Sequence, residues 1–553
     1  MALTQVPNEL LEIGVKAFGT SSFMIGDTIT GTIDAANYNT GVGVDVFESL
    51  STGDRNTAIG FASMDANTTG SDNTGIGNGS LGGNTTASCN VAVGSSALTT
   101  NTEGANNVGV GCDALQANTT GPSNTSIGTS SLAGNTVGGS NTALGYEAMK
   151  TNVQGDRAVA VGYQALYSQN PSTSGEDTFN TAVGFSSMAL TTTGTNNTAV
   201  GAKSLESNTT GTHNTAVGFE CLDANTTGTY NTSGGYASLG QNTTGGFNTA
   251  LGESALNGNT TANDNTAVGA GALALNTTGT DNTAVGRSAL LRNTTASNNT
   301  AVGKEALNAN TTAGENTAIG EAAGKAITTG GGNCAMGYQS LATTTDSTHN
   351  VALGFQAGLI MTTGGNNTLV GSAAGDDLTT GGQNVVIGRL CNAGGGGSAY
   401  RTIIGYDLSG GSNDATLLGR GSTDSQLTHG ATTWTAPSDI RLKEEIEDEQ
   451  IGLDFVNELR PVTFRWKKAK DVPQEMKAYE DSEQRVMNGK YNHGFIAQEV
   501  KEVINKYDFK DGFDLWSEDD NDGRQRVGEA SLIPMLVKAI QELSQEVKQL
   551  KGE

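Results

Sequence analysis

The side chains best suited to covalent chemistry stand together in one short stretch, Ser438-Asp-Ile-Arg-Leu-Lys443. A serine hydroxyl is a weak nucleophile until a nearby base takes its proton. Lysine is such a base only when neutral, so burial or neighbouring positive charge must lower its pKa. Arg441 supplies that charge, whereas Glu444, Glu445 and Asp448 oppose it if they face Lys443. The same residues also read as the start of a helix, with Ser438 as its cap and Asp439, Glu444 and Glu445 near the N-terminus. The residue types alone leave both readings open. A pairing of the serine with His493 is a third reading, but a lone His beside Gly494, ahead of an apolar run, is more often structural.

Other chemistries find little support. The five cysteines, Cys89, Cys112, Cys221, Cys334 and Cys391, are spread singly with no CxxC or Cys/His spacing, so neither a metal site nor any cofactor is expected. The net charge of -26 disfavours nucleic acid as a partner. No stretch reaches 18 apolar residues, which argues against membrane insertion, and the N-terminus does not read as a signal peptide. Aromatics are 5% of the chain, too sparse for the carboxylate-and-aromatic cleft of a glycosidase.

The elements that position these residues differ sharply on the two sides of 437. Glycine makes up 78 of 553 residues, about twice the usual share, and most of it precedes that point. The cause is a repeat, N-T-A-V-G-x-x-A-L-x-x-N-T-T-G-x-N, with a period of 17 and 21 copies over 56–405. One five-residue insertion interrupts it within 168–179. T-A-V-G reads as a short strand and the fifth-position Gly as a sharp turn or a backbone packed too closely for a Cβ. The Ala-Leu pair at positions 8 and 9 reads as core, with about two large side chains buried per repeat. N-T-T-G reads as a turn in which Asn and Thr bond their own backbone and Gly takes a positive φ. No repeat can bury its apolar side alone, so neighbours must stack. At about 4.8 Å per rung, 21 copies make a shaft on the order of 100 Å long. Three thin cores pooled about one axis hide more apolar surface, so a homotrimer is expected.

The repeat region resembles the head repeats of trimeric autotransporter adhesins and, more closely, the Gly/Asn/Thr-rich shafts of phage tail fibres. From 438 onward the composition changes: 438–553 holds 18 of the 30 Lys and Arg and 26 of the 56 Asp and Glu. Ile533, Leu536, Ile540, Leu543, Val547 and Leu550 form an a/d seam in a terminal helix. The runs SDIRLKEEI (438–446), LRPVTFRWK (459–467) and HGFIAQEV (493–500), with that helix, resemble the intramolecular chaperone domain of phage endosialidases and tail fibres. This is also called the S74 peptidase domain, with a relative in myelin regulatory factor. The resemblance implies a trimerising chaperone that helps the preceding fibre fold and then cuts itself off. It places the scissile bond at Pro437–Ser438, the Ser–Lys dyad at Ser438 and Lys443, and supporting roles at Asp439 and Arg441.

The expected fold is mostly β: a fibrous trimeric β-repeat shaft followed by a small α+β chaperone domain ending in a coiled-coil helix. The expected divisions are an attachment or capping segment (1–55), the shaft (56–405), a neck or distal tip (406–437) and the self-cleaving domain (438–553). The chain reads as a virion tail fibre, made in the host cytoplasm and joined through its N-terminus to phage tail or baseplate proteins. At the other end it meets a host surface glycan or protein receptor, with Tyr406, His429 and Trp434 as contacts. As an enzyme it would be an autoproteolytic serine peptidase acting only on its own chain. A bacterial trimeric surface adhesin and a fibre-borne glycan-degrading enzyme are the alternatives.

Overall fold

Three residues per repeat, positions 2–4, form a strand, and strand geometry sends positions 2 and 4 to one face and position 3 to the other. Each strand pairs in parallel with its equivalent one repeat later, as in Thr198↔Thr215, Ala199↔Ala216 and Val200↔Val217. The computed structural model describes residues 14–18, 21–26, 35–431, 433–474, 476, 478–487, 489–507, 514–519 and 523–552. The pairings build a β-solenoid of 23 turns. The chain divides into two compact units, Met1–Pro437 and Ser438–Glu553.

The ladder begins two strands before the repeat that opens at 56, because Phe23–Ile25 pairs with Thr40–Val42 and that strand with Thr57–Ile59. Antiparallel pairs close both ends: Gly14–Phe18 on Ser22–Gly26, and Thr423–Thr428 on Ala415–Arg420. Each end of the ladder is therefore a hairpin, and the outer strand of each is only five or six residues long. The attachment role expected of 1–55 falls in part on 1–13, 19–20 and 27–34, which lie outside the described residues.

Position 5 explains itself. Gly218 has a φ of +138°, and a Cβ there would sit 2.6 Å from the Gly235 carbonyl oxygen of the next rung. Two expectations need correction. First, the large buried side chain is one per repeat. The small residues at positions 3 and 8 are fully buried with the leucine of position 9, as at Ala199, Ser204 and Leu205, while the position-4 side chain points outward, as at Val200. Second, the Asn of N-T-T-G bonds its own turn as expected, but it does so from the interior, where it also ties to the neighbouring rung. Asn208 and Asn225 are fully buried, and Asn225 Nδ2 donates to Asn208 Oδ1 at 2.8 Å and to the Gly228 carbonyl at 3.1 Å. The position-1 Asn forms a second buried ladder: Asn231 N donates to Asn214 Oδ1 at 3.0 Å, and Asn231 Nδ2 to the Gly245 carbonyl at 2.8 Å. Gly228 has no positive φ; its Cβ would crowd Asn225 Oδ1 and the next rung. Stacking lets most of these amides bond the rung beside them, with Asn90 Nδ2 and Asn310 Oδ1 left without a partner among the described residues, so buried polar groups become rung-to-rung ties.

The leucine of position 9 adopts the left-handed conformation, with φ +51° at Leu205 and Leu222. A β-branched side chain fits that region worst, and from 64 to 375 the position holds only Leu, Met or Gly. Where it is Gly, the partner position 12 changes as well: Gly324 goes with Ile327, Gly358 with Met361 and Gly375 with Leu378, all three apolar partners fully buried. One large side chain thus enters the core from either position. Leu205→Gly removes a buried side chain, and Asn208→Ile unpairs the Asn225 amide, each costing about 2–4 kcal/mol. The double substitution should restore at least about 1 kcal/mol relative to the sum of the two, read as unfolding temperature in a double-mutant cycle. Strictly additive losses would refute the exchange.

The C-terminal unit is small and separately cored. Helices α1 (Leu453–Glu458), α2 (Ala497–Ile504) and α3 (Leu532–Lys551) surround Phe455, Val500, Val503, Leu515, Leu532 and Met535. Strand Val462–Phe464 pairs antiparallel with Asn492–Gly494, and Trp516–Glu518 with Gln525–Val527. α3 buries Leu532, Met535 and Ala539 against its own unit, while its seam, including Ile533, Ile540 and Leu550, remains exposed. The helix thus packs one face on its own unit and leaves the a/d seam uncovered.

Candidate functional site

The site begins with one turn of helix. Ile440–Leu442 forms a 3-10 turn capped by Asp439, whose Oδ1 accepts from Arg441 N at 2.9 Å, and Lys443 N donates back to the Ile440 carbonyl at 3.2 Å. That turn reverses the chain enough for the Lys443 side chain to return to Ser438: Lys443 Nζ donates to Ser438 Oγ at 2.8 Å. The cap is Asp439, one residue past the serine, so the Ser438 hydroxyl is not occupied as a helix cap.

Arg441 does not act as the free positive charge that the sequence suggests. Its Nη2 donates to Asp439 Oδ2 at 2.6 Å, and this pairing draws the Asp439 carboxyl below its usual pKa and raises the guanidinium. Among the described residues Lys443 makes no ion pair, so Glu444, Glu445 and Asp448 do not hold it charged by direct contact. The stretch is exposed, and so are three apolar side chains that flank the pair: Ile440 (72%), Leu442 (62%) and Ile446 (62%).

His493 lies elsewhere in the unit's own ladder. It pairs with Thr463, and its Nδ1 is 3.4 Å from Thr463 Oγ1. The two later motifs meet directly there. The Val462–Phe464 strand carries one and the Asn492–Gly494 strand leads into the other, while Arg460 Nε donates to Glu499 Oε2 at 2.9 Å across them. An open hollow of about 340 Å³ lies between, lined by Pro461, Val462, Thr463, His493, Gly494, Phe495 and Glu529. Sequence reasoning missed the Arg460–Glu499 tie; its signal was an Arg and a Glu in two motifs that must be adjacent.

In the first unit, Tyr406 ends the strand Thr402–Tyr406, with its hydroxyl accepting from Arg389 Nη1 at 2.8 Å and both Arg389 and Arg420 over its ring at 5.6 Å. His429 stands at the other end of the adjoining ladder, with Nε2 3.2 Å from Thr416 Oγ1. Tyr406 pairs with Arg420, four residues from Thr416, so the ladder sets the backbone positions that carry the two contacts roughly 13 Å apart. Trp434 is about half exposed.

Residues 438–511 match the family model of the S74 peptidase domain, the chaperone of endosialidase. This match and the long solenoid fit a tail-fibre-like protein with a C-terminal chaperone domain. The match supports a trimerisation and folding role of the kind typical of fibre proteins. No curated protein matches the chain. The matched stretch opens on Ser438, where the chaperone-domain unit also begins, and takes in all three motifs. Among the described residues no helix is long and apolar enough to cross a membrane.

Proposed function

We propose that the chain is a homotrimeric virion tail fibre whose chaperone domain assembles three copies, aligns their rungs and then leaves by cleavage at Pro437–Ser438. The observation that carries the cleavage is the 2.8 Å contact of Lys443 Nζ with Ser438 Oγ. In the reaction, the neutral Lys443 amine takes the Ser438 hydroxyl proton and Oγ attacks the Pro437 carbonyl carbon. The Pro437–Ser438 C–N bond breaks and the departing Ser438 amine takes a proton. An ester then joins the Pro437 carbonyl to Oγ. Water hydrolyses it to a carboxylate on Pro437 and a free hydroxyl on Ser438.

Assembly and chemistry are linked through exposure. The α3 seam and the trio Ile440, Leu442 and Ile446 are apolar and uncovered in a single chain. Trimerisation covers such surfaces, so cleavage is expected to follow assembly. The near-identical rungs make this order useful, since a slip of one rung keeps most contacts. Long repeats also fold slowly through nonlocal pairings. Cleavage after alignment leaves a kinetically trapped fibre. The proposed receptor contacts are exposed groups beyond the last 17-residue rung, His429 and Trp434; the N-terminal end joins the phage tail or baseplate. Light scattering on the purified full chain tests the assembly: three times the chain mass is expected, and a single-chain mass would overturn it.

A further inference from the structure

The solenoid's exposed apolar side chains fall mainly in columns: one at position 17 holds Tyr38, Phe179, Tyr230, Phe247 and Tyr400, and a longer set follows the strands. Positions 2 and 4 of every strand share one outward face, and position 4 presents half-exposed aliphatics such as Ile127 (39%), Val200 (39%), Val217 (47%) and Leu251 (42%). At its border, position 6 holds nine aromatics that are 42–56% exposed between Phe61 and Tyr406. They stack up the column where they are consecutive: Tyr146 on Tyr163 at 5.3 Å, Tyr163 on Phe185 at 5.1 Å, Phe219 on Tyr236 at 5.8 Å and Tyr338 on Phe355 at 5.4 Å. We infer that this strip is the seam along which three copies of this chain pack, parallel and with equivalent rungs at the same height.

Three features select another copy as the occupant. The first is charge. From 57 to 404, positions 2 and 4 carry no charged residue, although the chain has a net charge of -26, and position 6 at the border carries Arg287, Lys304 and Arg389 against Glu253 and Glu321. Copies repel one another over most of their surface, and this face is where they can meet without opposing like charges. The second is area. A fully covered aromatic hides about 150–250 Å², so nine that are about half exposed contribute on the order of 900 Å² before the aliphatics are added. A stable interface needs about 800 Å² per partner. The third is period. Equivalent side chains recur every rung, about 4.8 Å apart, along the whole ladder. A surface that matches this spacing over so many rungs must have the same repeat, which a second copy supplies.

Landmarks on the strip fix the register that an ideal repeat would leave open. Gly234 replaces the position-4 aliphatic and leaves a dent between Val217 and Leu251, which its strand joins in the ladder. The 22-residue rung that separates Val159–Val161 from Thr181–Val183 is a second mark. A one-rung slip sets Val217 or Leu251 against the dent. Tyr406, expected at first to touch a receptor, stands in the sixth-position column, and the seam accounts for its exposure.

This inference rests on the self-association proposed above, and the test separates the two. In the full chain with Cys89, Cys112 and Cys334 changed to Ser, a single Val217→Cys or Thr210→Cys is introduced. Val217 is on the strip; Thr210 is exposed on the Asn-Thr-Thr turn. Each variant is treated with a short bismaleimide, and light scattering gives its mass. The expected result is a threefold mass for both, with covalent links between chains at 217 at least tenfold more abundant than at 210. A threefold mass with equal linking, or with linking favouring 210, or with none, would overturn the seam while leaving self-association standing. A single-chain mass would overturn both.

Discussion

With Ser438 changed to Ala, the chain stays whole, whereas the unaltered chain separates into 1–437 and 438–553. The substitution removes the hydroxyl that Lys443 Nζ touches and leaves Asp439 to cap the 3-10 turn as before. Folding and assembly should therefore be unchanged while cleavage slows by at least about a thousandfold, the scale seen when a nucleophile is deleted. Lys443→Arg should be as defective for a different reason. The guanidinium still donates to Ser438 but cannot lose its proton at any working pH, so it cannot serve as the base. Asp439→Ala, by contrast, removes the cap of the 3-10 turn and frees Arg441, and should slow cleavage without abolishing it. Intact mass reads all four chains, with light scattering run alongside. A Ser438→Ala chain cut at the same bond would sink the dyad. An uncut but trimeric unaltered chain would leave a folding domain without peptidase activity.

Gly218→Ala should break the shaft at one rung. At φ +138° an L-residue is strained whatever space it has, and here the new methyl would lie 2.6 Å from the Gly235 carbonyl oxygen and 2.8 Å from Cys221 Sγ. Strain and clash together should cost at least about 3 kcal/mol. In a stack held by nearest neighbours the damage is not shared along the ladder. The expected calorimetric result is a split transition, with blocks on either side of the altered rung unfolding separately and the first well below the unaltered chain. Hydrogen exchange should quicken around 214–235 first. Thr210→Ala, on an exposed turn, should shift neither reading by more than about 0.5 kcal/mol. A Gly218→Ala chain as stable as the original would mean that the rungs can separate without penalty, and the account of position 5 would fail.

Much of this protein is legible in its sequence because it is written locally and then repeated. A 17-residue period, an unvarying Gly after a β-branched residue and the preference for Leu over β-branched residues at position 9 each follow from what one backbone segment can adopt. Ser438, Lys443 and the two later runs are likewise visible as motifs, since each is a continuous stretch. What the sequence could not decide is which side of a three-residue strand faces inward. Thr-Ala-Val can bury its Ala or its Val, and hydrophobicity alone favours the Val. Stacking chose the Ala, because rungs this close leave room for one large side chain, and the position-9 leucine takes it. The same stacking drew Asn208 and Asn225 into the interior, where partners 17 residues away satisfy amides that looked like turn residues. At the other end of the chain, only the fold showed that Asp439 takes both the cap and the Arg441 charge, leaving Lys443 to Ser438. Period and backbone conformation are local properties and can be read along the chain, whereas burial and pairing belong to neighbours that meet only once the rungs are stacked.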